Sequence, residues 1–314
     1  MVKRWGSLFA LVLAGCTAAP AREAAPALPT IVSLNPCTDA ILAEVADPAQ
    51  ILAISHYSQD PSGSSMDLAT ARQFRATGGS VEEVLALKPD LVVDGTFTPP
   101  ATRSALERLG LKLEQLPIAP TVPDSLAQIR RLAALAGHPE RGEVLVQRIE
   151  AALAVSKAPA GPPVDAIVWQ GGGIVAGEGT LITALLAHTG FNNVAAARGL
   201  SQASHLPLEA MLAQPPRVIL AAGNSHGEED RLLSHPALAG LKSTTRAPLE
   251  PKLLWCGGPT IPKTLARLAE VRRGLEAWST TPQPPPLKRR GSFSATALAP
   301  SSSEEGVGGG APSL

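Results

Sequence analysis

Ser80-Val81-Glu82-Glu83-Val84-Leu85-Ala86-Leu87-Lys88-Pro89-Asp90-Leu91-Val92-Val93 returns later in the chain as Pro207-Leu208-Glu209-Ala210-Met211-Leu212-Ala213-Gln214-Pro215-Pro216-Arg217-Val218-Ile219-Leu220. In each copy a glutamate opens a short apolar helix, a proline ends it, and an aliphatic run follows at once. Proline stops a helix because its ring clashes with the preceding turn and it has no amide hydrogen to donate. The aliphatic run reads as a strand covered on both faces, the pattern of a parallel sheet. Two copies so far apart predict two similar lobes, each presenting one glutamate at the start of a helix.

Outward from the first copy, Thr30 to Leu34 and Ile51 to Ser55 read as strands, and Cys37 to Val45 as a helix with Thr38 and Asp39 as capping candidates. Pro99 to Leu109 reads as a helix ended by Gly110, and Leu111 to Leu116 as the next strand. Asp124 is expected to cap a helix running to Ala136, which Gly137-His138-Pro139 breaks. A second helix then runs from about Pro139 to Val155, with Val144, Leu145, Ile149 and Leu153 at helical spacing. Such a helix acts as a stiff strut between lobes. Val164 to Trp169 opens the second lobe as a strand, Thr180 to His188 is a helix stopped by Gly190, and a helix from about Pro262 to Trp278 closes it. Strands alternating with helices define an α/β fold with mainly parallel sheets.

The chain has 314 residues, 45% of them hydrophobic but only 3% aromatic, so its cores rest on Ala, Leu, Val and Ile. Zero formal net charge, with no dense basic stretch in the folded part, argues against nucleic acid as a partner. Lys3 and Arg4 precede the apolar run Leu8 to Ala14, which is too short to span a bilayer as a mature helix. Leu13-Ala14-Gly15-Cys16 resembles the bacterial lipoprotein box, in which Cys16 is lipidated and becomes the mature N-terminus; the alternative is an ordinary signal peptide with a chance cysteine. The expected organisation is signal peptide 1–15, tether 16–29, N-terminal lobe 30–123, helical connection 124–157, C-terminal lobe 158–279 and a disordered Pro-, Ser- and Gly-rich tail 280–314.

Gly171-Gly172-Gly173 follows a strand, yet no helix starts where a pyrophosphate would need its N-terminus, so the run reads as a tight turn rather than a dinucleotide site. No phosphate-binding loop, nucleophile elbow or zinc helix motif is present, and the six histidines are scattered. The chain is therefore expected to be no enzyme and to hold no metal cluster.

Asn35-Pro36-Cys37, His56-Tyr57, Gly95-Thr96-Phe97, Trp169-Gln170 and Trp255-Cys256-Gly257-Gly258 each directly follow a predicted strand. Ligands bind outside the carboxyl ends of parallel strands, so these loops are expected to line one cleft. The ligand-binding candidates are Asn35, Cys37, His56, Tyr57, Phe97, Trp169, Trp255 and Cys256. The tryptophans could instead cap the cores of their lobes, and His56 could be a hydrogen-bonding loop residue. For Cys37 and Cys256 a disulfide across the cleft, a ligand contact and two inert thiols all stand open. Glu82 and Glu209 suit helix first turns as capping carboxylates, but that role does not explain their recurrence at matched positions.

Ile31-Val32-Ser33-Leu34-Asn35, the Glu82 to Val93 block, Gly190-Phe191-Asn192-Asn193-Val194-Ala195 and the Glu209 to Leu220 block together resemble the periplasmic iron-siderophore and cobalamin binding proteins of ABC importers, over about Thr30 to Trp278. The resemblance implies two Rossmann-like lobes joined by a backbone helix, with the ligand between them, little closure on binding, and a likeness to monomers. It implies a lipid-anchored periplasmic protein whose Glu82 and Glu209 dock on arginines of the two permease subunits. The stretch Gly173 to Gly179 would belong to the cleft. No resident cofactor is implied; the ligand is cargo, a corrinoid or an iron chelate, and the lack of an arginine cluster favours cobalamin or another corrinoid. The competing readings are a bare zinc or manganese binding protein and a nucleotide-dependent α/β enzyme.

Overall fold

The computed structural model describes residues 28–223, 231–233 and 235–280, with side chains as far as Leu275. The expected signal peptide 1–15, Cys16, most of the tether 16–29 and the tail after Thr280 lie outside the described residues. The first lobe runs β1 (Ile31–Ser33), α1 (Pro36–Val45), β2 (Ile51–Ser55), α2 (Leu68–Ala71), β3 (Ala76–Thr77), α3 (Val81–Leu87), β4 (Leu91–Gly95), α4 (Pro100–Arg108) and β5 (Leu113–Leu116). Its sheet has the order β3-β2-β1-β4-β5, every neighbouring pair parallel. Two helices follow, α5 (Val122–Ala136) and α6 (Pro139–Val155).

The second lobe comprises β6 (Val164–Gln170), β7 (Ile174–Val175), α7 (Leu181–His188), β8 (Phe191–Asn193), α8 (Val194–Ala197), β9 (Ser204–His205), α9 (Leu208–Ala213), β10 (Val218–Ala222), α10 (Pro236–Ala239), β11 (Thr245–Leu249) and α11 (Ile261–Thr280). Its sheet, β11-β10-β6-β7-β9 with β8 beside β6, is mixed. The reason is local. Gly172 and Gly173 take φ of 68° and 82°, a region open to glycine, and turn the chain back so that β7 lies antiparallel to β6, with Trp169 opposite Val175. The glycine run is thus a hairpin turn. The sequence repeat becomes a structural one: β3–α3–β4 in the first lobe and β9–α9–β10 in the second.

Helix ends follow their side chains, with two corrections. Asn35, rather than Thr38 or Asp39, caps α1: its side-chain oxygen accepts from the Cys37 amide at 2.8 Å, and Pro36 takes the first helical position. Thr38 and Asp39 point inward and are buried. Thr121 caps α5 by accepting from the Asp124 amide at 3.3 Å, which leaves Asp124 inside the first turn.

The α6 stripe also differs from expectation. Val144 is 66% exposed, while Leu145, Val146 and Ile149 are buried between α1, α5 and α11. A helix wedged among three others needs a wider apolar face than one spacing pattern describes. One hydrophobic cluster runs from Ile31 and Leu91 under the first sheet, through α1, α5, α6 and α11, to Val168 and Val218 under the second. Smaller clusters cover the outer faces, around Val32 and Val92 on the first sheet and Trp169 and Ile219 on the second. Among the described residues no helix is long and apolar enough to cross a membrane.

Candidate functional site

The carboxyl ends of β1, β4 and β5 bring Asn35, Gly95 and Leu116 side by side at one edge of the first lobe. Neighbouring parallel strands end in register there, which is why loops from distant parts of the chain converge. The Asn35 amide lies directly over Gly95, where any added Cβ would collide with it. Facing them across a cavity of about 260 Å³ are Gln170, Ile174, Ala176 and Thr180 of the second lobe and the strap Leu254 to Gly257 before α11. Gln128 of α5 and Gln202 complete the polar part of the wall.

Among the described residues no Arg, Lys, His, Asp or Glu lines this cavity. Its polar groups are neutral amides and hydroxyls set among aliphatic and aromatic side chains. Phe97, Trp255 and Ile118 stand at the wall 74%, 52% and 46% exposed, so apolar surface opens toward solvent. Exposed aromatics beside a concave apolar surface are suited to gripping a flat or bulky ligand.

Cys37, in the first turn of α1, and Cys256, in the strap, are joined by a disulfide with Cα atoms 5.0 Å apart, and both line the cavity. The bond ties one lobe to the other at the cleft itself. The strap is held further by Gly258, whose amide donates to the Ser125 hydroxyl of α5 at 2.8 Å, and by Thr260, which donates to the Cys256 carbonyl at 2.6 Å.

Of the other candidates, Asn35, Phe97 and Trp255 line the cavity and three do not. Trp169 is fully buried on the outer face of β6 against Ile167, Leu206 and Met211, so its place in the cleft is corrected to a core role. Side chains alternate along a strand. Trp169 shares a face with Ile167, while Gln170 shares the inner face with Ala166 and Val168 and reaches the cleft. His56 and Tyr57 follow β2, one strand further from the cavity, and are not part of its lining. Their rings pack at 4.0 Å between centroids, and His56 Nδ1 lies 3.3 Å from the Thr77 carbonyl. His56 is thus placed as a hydrogen-bonding loop residue. Gln128 and Gln202 carried no signal in the sequence; one sits on a connecting helix and the other in a turn.

Beneath the His56–Tyr57 turn lies Asp39, completely buried. It accepts from the Ser58 hydroxyl at 2.7 Å and the Ser55 amide at 3.0 Å. Burial pushes its carboxyl up to about 8, against the opposing effect of hydrogen bonds from Ser33, Ser58 and Ser55. The folded state therefore keeps a proton that the unfolded chain releases near the ordinary aspartate value of about 3.9. The sign follows: the contribution is complete below the unfolded value, and stability falls as pH rises from about 4 through about 8. Asp39→Asn should flatten that slope, measured as urea midpoints at about pH 5 and about pH 8. An equal slope in the variant contradicts the assignment.

Glu82 and Glu209 occupy equivalent places, the second residue of α3 and of α9, and both are exposed. Glu83 differs. It turns back to accept from the Thr77 hydroxyl at 2.6 Å and the Gly78 amide at 2.7 Å, which hold its carboxyl below the usual range. Among the described residues neither Glu82 nor Glu209 forms a salt bridge. Among the described residues no group of three or more His, Cys, Asp or Glu is placed to hold a metal ion.

The chain belongs to the periplasmic binding protein family, whose model matches residues 31–246. Its members are substrate-binding transport proteins of ABC importers rather than enzymes, and they work with a permease and a small-molecule ligand. Among solved structures it is similar to the periplasmic heme-binding protein RhuT from Roseiflexus sp. RS-1, at 22% identity and a TM-score of 0.63, over 80% of this chain and 99% of that one. It is similar to the vitamin B12 binding protein BtuF of Vibrio cholerae, at 19% identity and a TM-score of 0.59, over 80% and 98% of the two chains. Helicobacter pylori CeuE in a Ni–His complex matches at 15% identity and a TM-score of 0.62, over 81% and 85%. Comparison with curated proteins by sequence found no match.

Proposed function

We propose that this chain is the lipid-anchored substrate-binding component of an ABC importer that captures cobalamin or a related corrinoid. The observation that carries the reading is a cleft wall that is uncharged among the described residues, with four neutral amides (Asn35, Gln128, Gln170 and Gln202) among apolar side chains. A corrinoid presents a flat apolar ring rimmed with amides, so amide-to-amide hydrogen bonds can satisfy both partners without burying a charge. An anionic ferric siderophore, or a porphyrin with free carboxylates, brings negative charge, and the described residues of this wall offer no cation to balance it. At about 260 Å³ the cavity encloses only part of such a cargo; the remainder would rest on Phe97, Ile118 and Trp255. Cys16 would carry the lipid, the protein would act as a monomer, and Glu82 and Glu209 would present one charge each to the two permease subunits.

Isothermal calorimetry of the purified protein against cobalamin, cobinamide, haem and several ferric siderophores tests this. Corrinoids should bind with micromolar affinity or better, a free energy of about −8 kcal/mol, and the anionic chelates more weakly. Absence of corrinoid binding, or a tighter ferric siderophore, overturns the choice of cargo while leaving the family membership untouched.

A further inference from the structure

The amides of the cleft wall are not interchangeable, because the fold fixes the polarity of two of them. Asn35 is half-buried, and its side-chain oxygen accepts from the Cys37 amide at 2.8 Å as the cap of α1. Turning the amide over would set its NH2 against that N–H, two donors face to face, so the oxygen is held at the helix. The NH2 group is left at the cleft. It has no hydrogen-bond partner among the described residues, and it is not sealed from solvent.

Gly95 makes room for that group. Its φ is not left-handed, so the backbone itself does not call for glycine. Space does: an added Cβ would overlap the Asn35 amide nitrogen and come within 3.1 Å of the amide carbon. The Thr98 amide and the Gln115 side chain both donate to the Gly95 carbonyl, at 3.2 and 3.3 Å, and hold that backbone in place.

Gln128 is fixed the opposite way. Its NH2 donates to the Pro117 carbonyl at 2.6 Å, and a carbonyl can only accept. Its oxygen lines the same wall and accepts from no group among the described residues. The cleft thus carries a committed donor and a committed acceptor. Gln170 and Gln202 make no side-chain hydrogen bond among the described residues and can turn either way.

We propose that Asn35 and Gln128 set the specificity of the cleft by polarity: the cargo offers an acceptor to Asn35 and an N–H donor to Gln128. Resting on the corrinoid reading of the cleft, this selects a rim of amides over a rim of esters or carboxylates. Gly95 is a positioning residue that leaves the Asn35 NH2 its place. An ester or carboxylate oxygen satisfies Asn35 but sets a second acceptor against Gln128, and an unpaired polar group in the site is what rejects an analogue.

Calorimetry with two probes of equal charge tests this. Dicyanocobinamide has an amide rim; the dicyano methyl ester of cobyrinic acid has the same carbonyls and no N–H. The unaltered protein should bind the amide at least about tenfold more tightly than the ester. Gln128→Met should weaken the amide about fivefold and the ester little, which narrows that ratio. Asn35→Ser keeps a capping oxygen but removes the donor, so both probes should weaken about tenfold with their ratio kept. Gly95→Ala should match Asn35→Ser on both probes, yet add nothing in the Asn35→Ser background, a non-additivity that a general packing defect does not produce. Failure of the unaltered protein to bind either probe overturns the corrinoid reading and the proposal with it. Binding of both without preference, full affinity in Asn35→Ser, or an unchanged ratio in Gln128→Met overturns the proposal alone. Melting curves confirm that each variant is folded, and Asn35→Ser with Gln128→Met decides if Gly95→Ala is not.

Discussion

Replacing Cys37 and Cys256 together by alanine should lower the unfolding free energy by about 2–5 kcal/mol and weaken cargo binding in the same protein. The residues joined are 219 apart in sequence, so the bond removes a long loop from the unfolded ensemble. In the chain-entropy treatment such a loop corresponds to about 5 kcal/mol as an upper figure. The effect on binding has a separate cause. The bond fixes the first turn of α1 against the strap that carries Trp255, and both line the cleft. Without it, the cleft wall depends on the Gly258–Ser125 and Thr260–Cys256 hydrogen bonds, each worth about 1 kcal/mol. Urea unfolding of the oxidised protein and the double variant, with calorimetry on each, measures both effects. Identical midpoints, or two titratable thiols besides Cys16 in the unfolded and unreduced protein, would sink this account.

Glu82→Arg combined with Glu209→Arg should abolish uptake by intact cells while cargo affinity stays within about twofold. Both carboxylates are exposed at the same place in the two structural repeats, and neither spends its charge on a salt bridge among the described residues. Neither lines the cleft, so cargo contacts are left alone. Charge reversal at a docking surface converts attraction into like-charge repulsion, costing several kcal/mol in register and slowing encounter. Each single variant should show an intermediate defect, because one lobe still docks. Transport of labelled cargo in a strain lacking the native chain reads the outcome. Undiminished uptake by the double variant removes the docking role from the repeat.

Much of the fold was legible because its punctuation is strong. Pro89 and Pro215 follow the ends of α3 and α9 and lead into aliphatic runs, and Gly137 and Gly190 take left-handed φ after α5 and α7. What misled was depth. Val164 to Gln170 is apolar on both faces, so composition alone did not say which side Trp169 takes, and its aromatic ring suggested the cleft when it belongs to the outer core. Thr38 and Asp39 looked like caps because their types suit that role; Asn35, one residue before Pro36, held the position where an amide meets a free N–H. Gln128 reaches the cleft only because α5 packs across both lobes, a tertiary fact with no local trace.

The hydrophobic cluster that passes from Ile31 to Val218 without a break carries one more consequence. Two sheets and a connecting pair of helices suggest a chain that can be cut in two, each half keeping its own shape. The packing says otherwise. Ile41 and Val45 of the first lobe, Leu145 and Ile149 of α6, and Leu265 and Leu268 of α11 belong to one interior. Removing either lobe would strip that interior on one side and leave its apolar residues facing water. The protein is twofold in topology, and its shared interior predicts one cooperative unfolding transition, which calorimetry would show as a single peak.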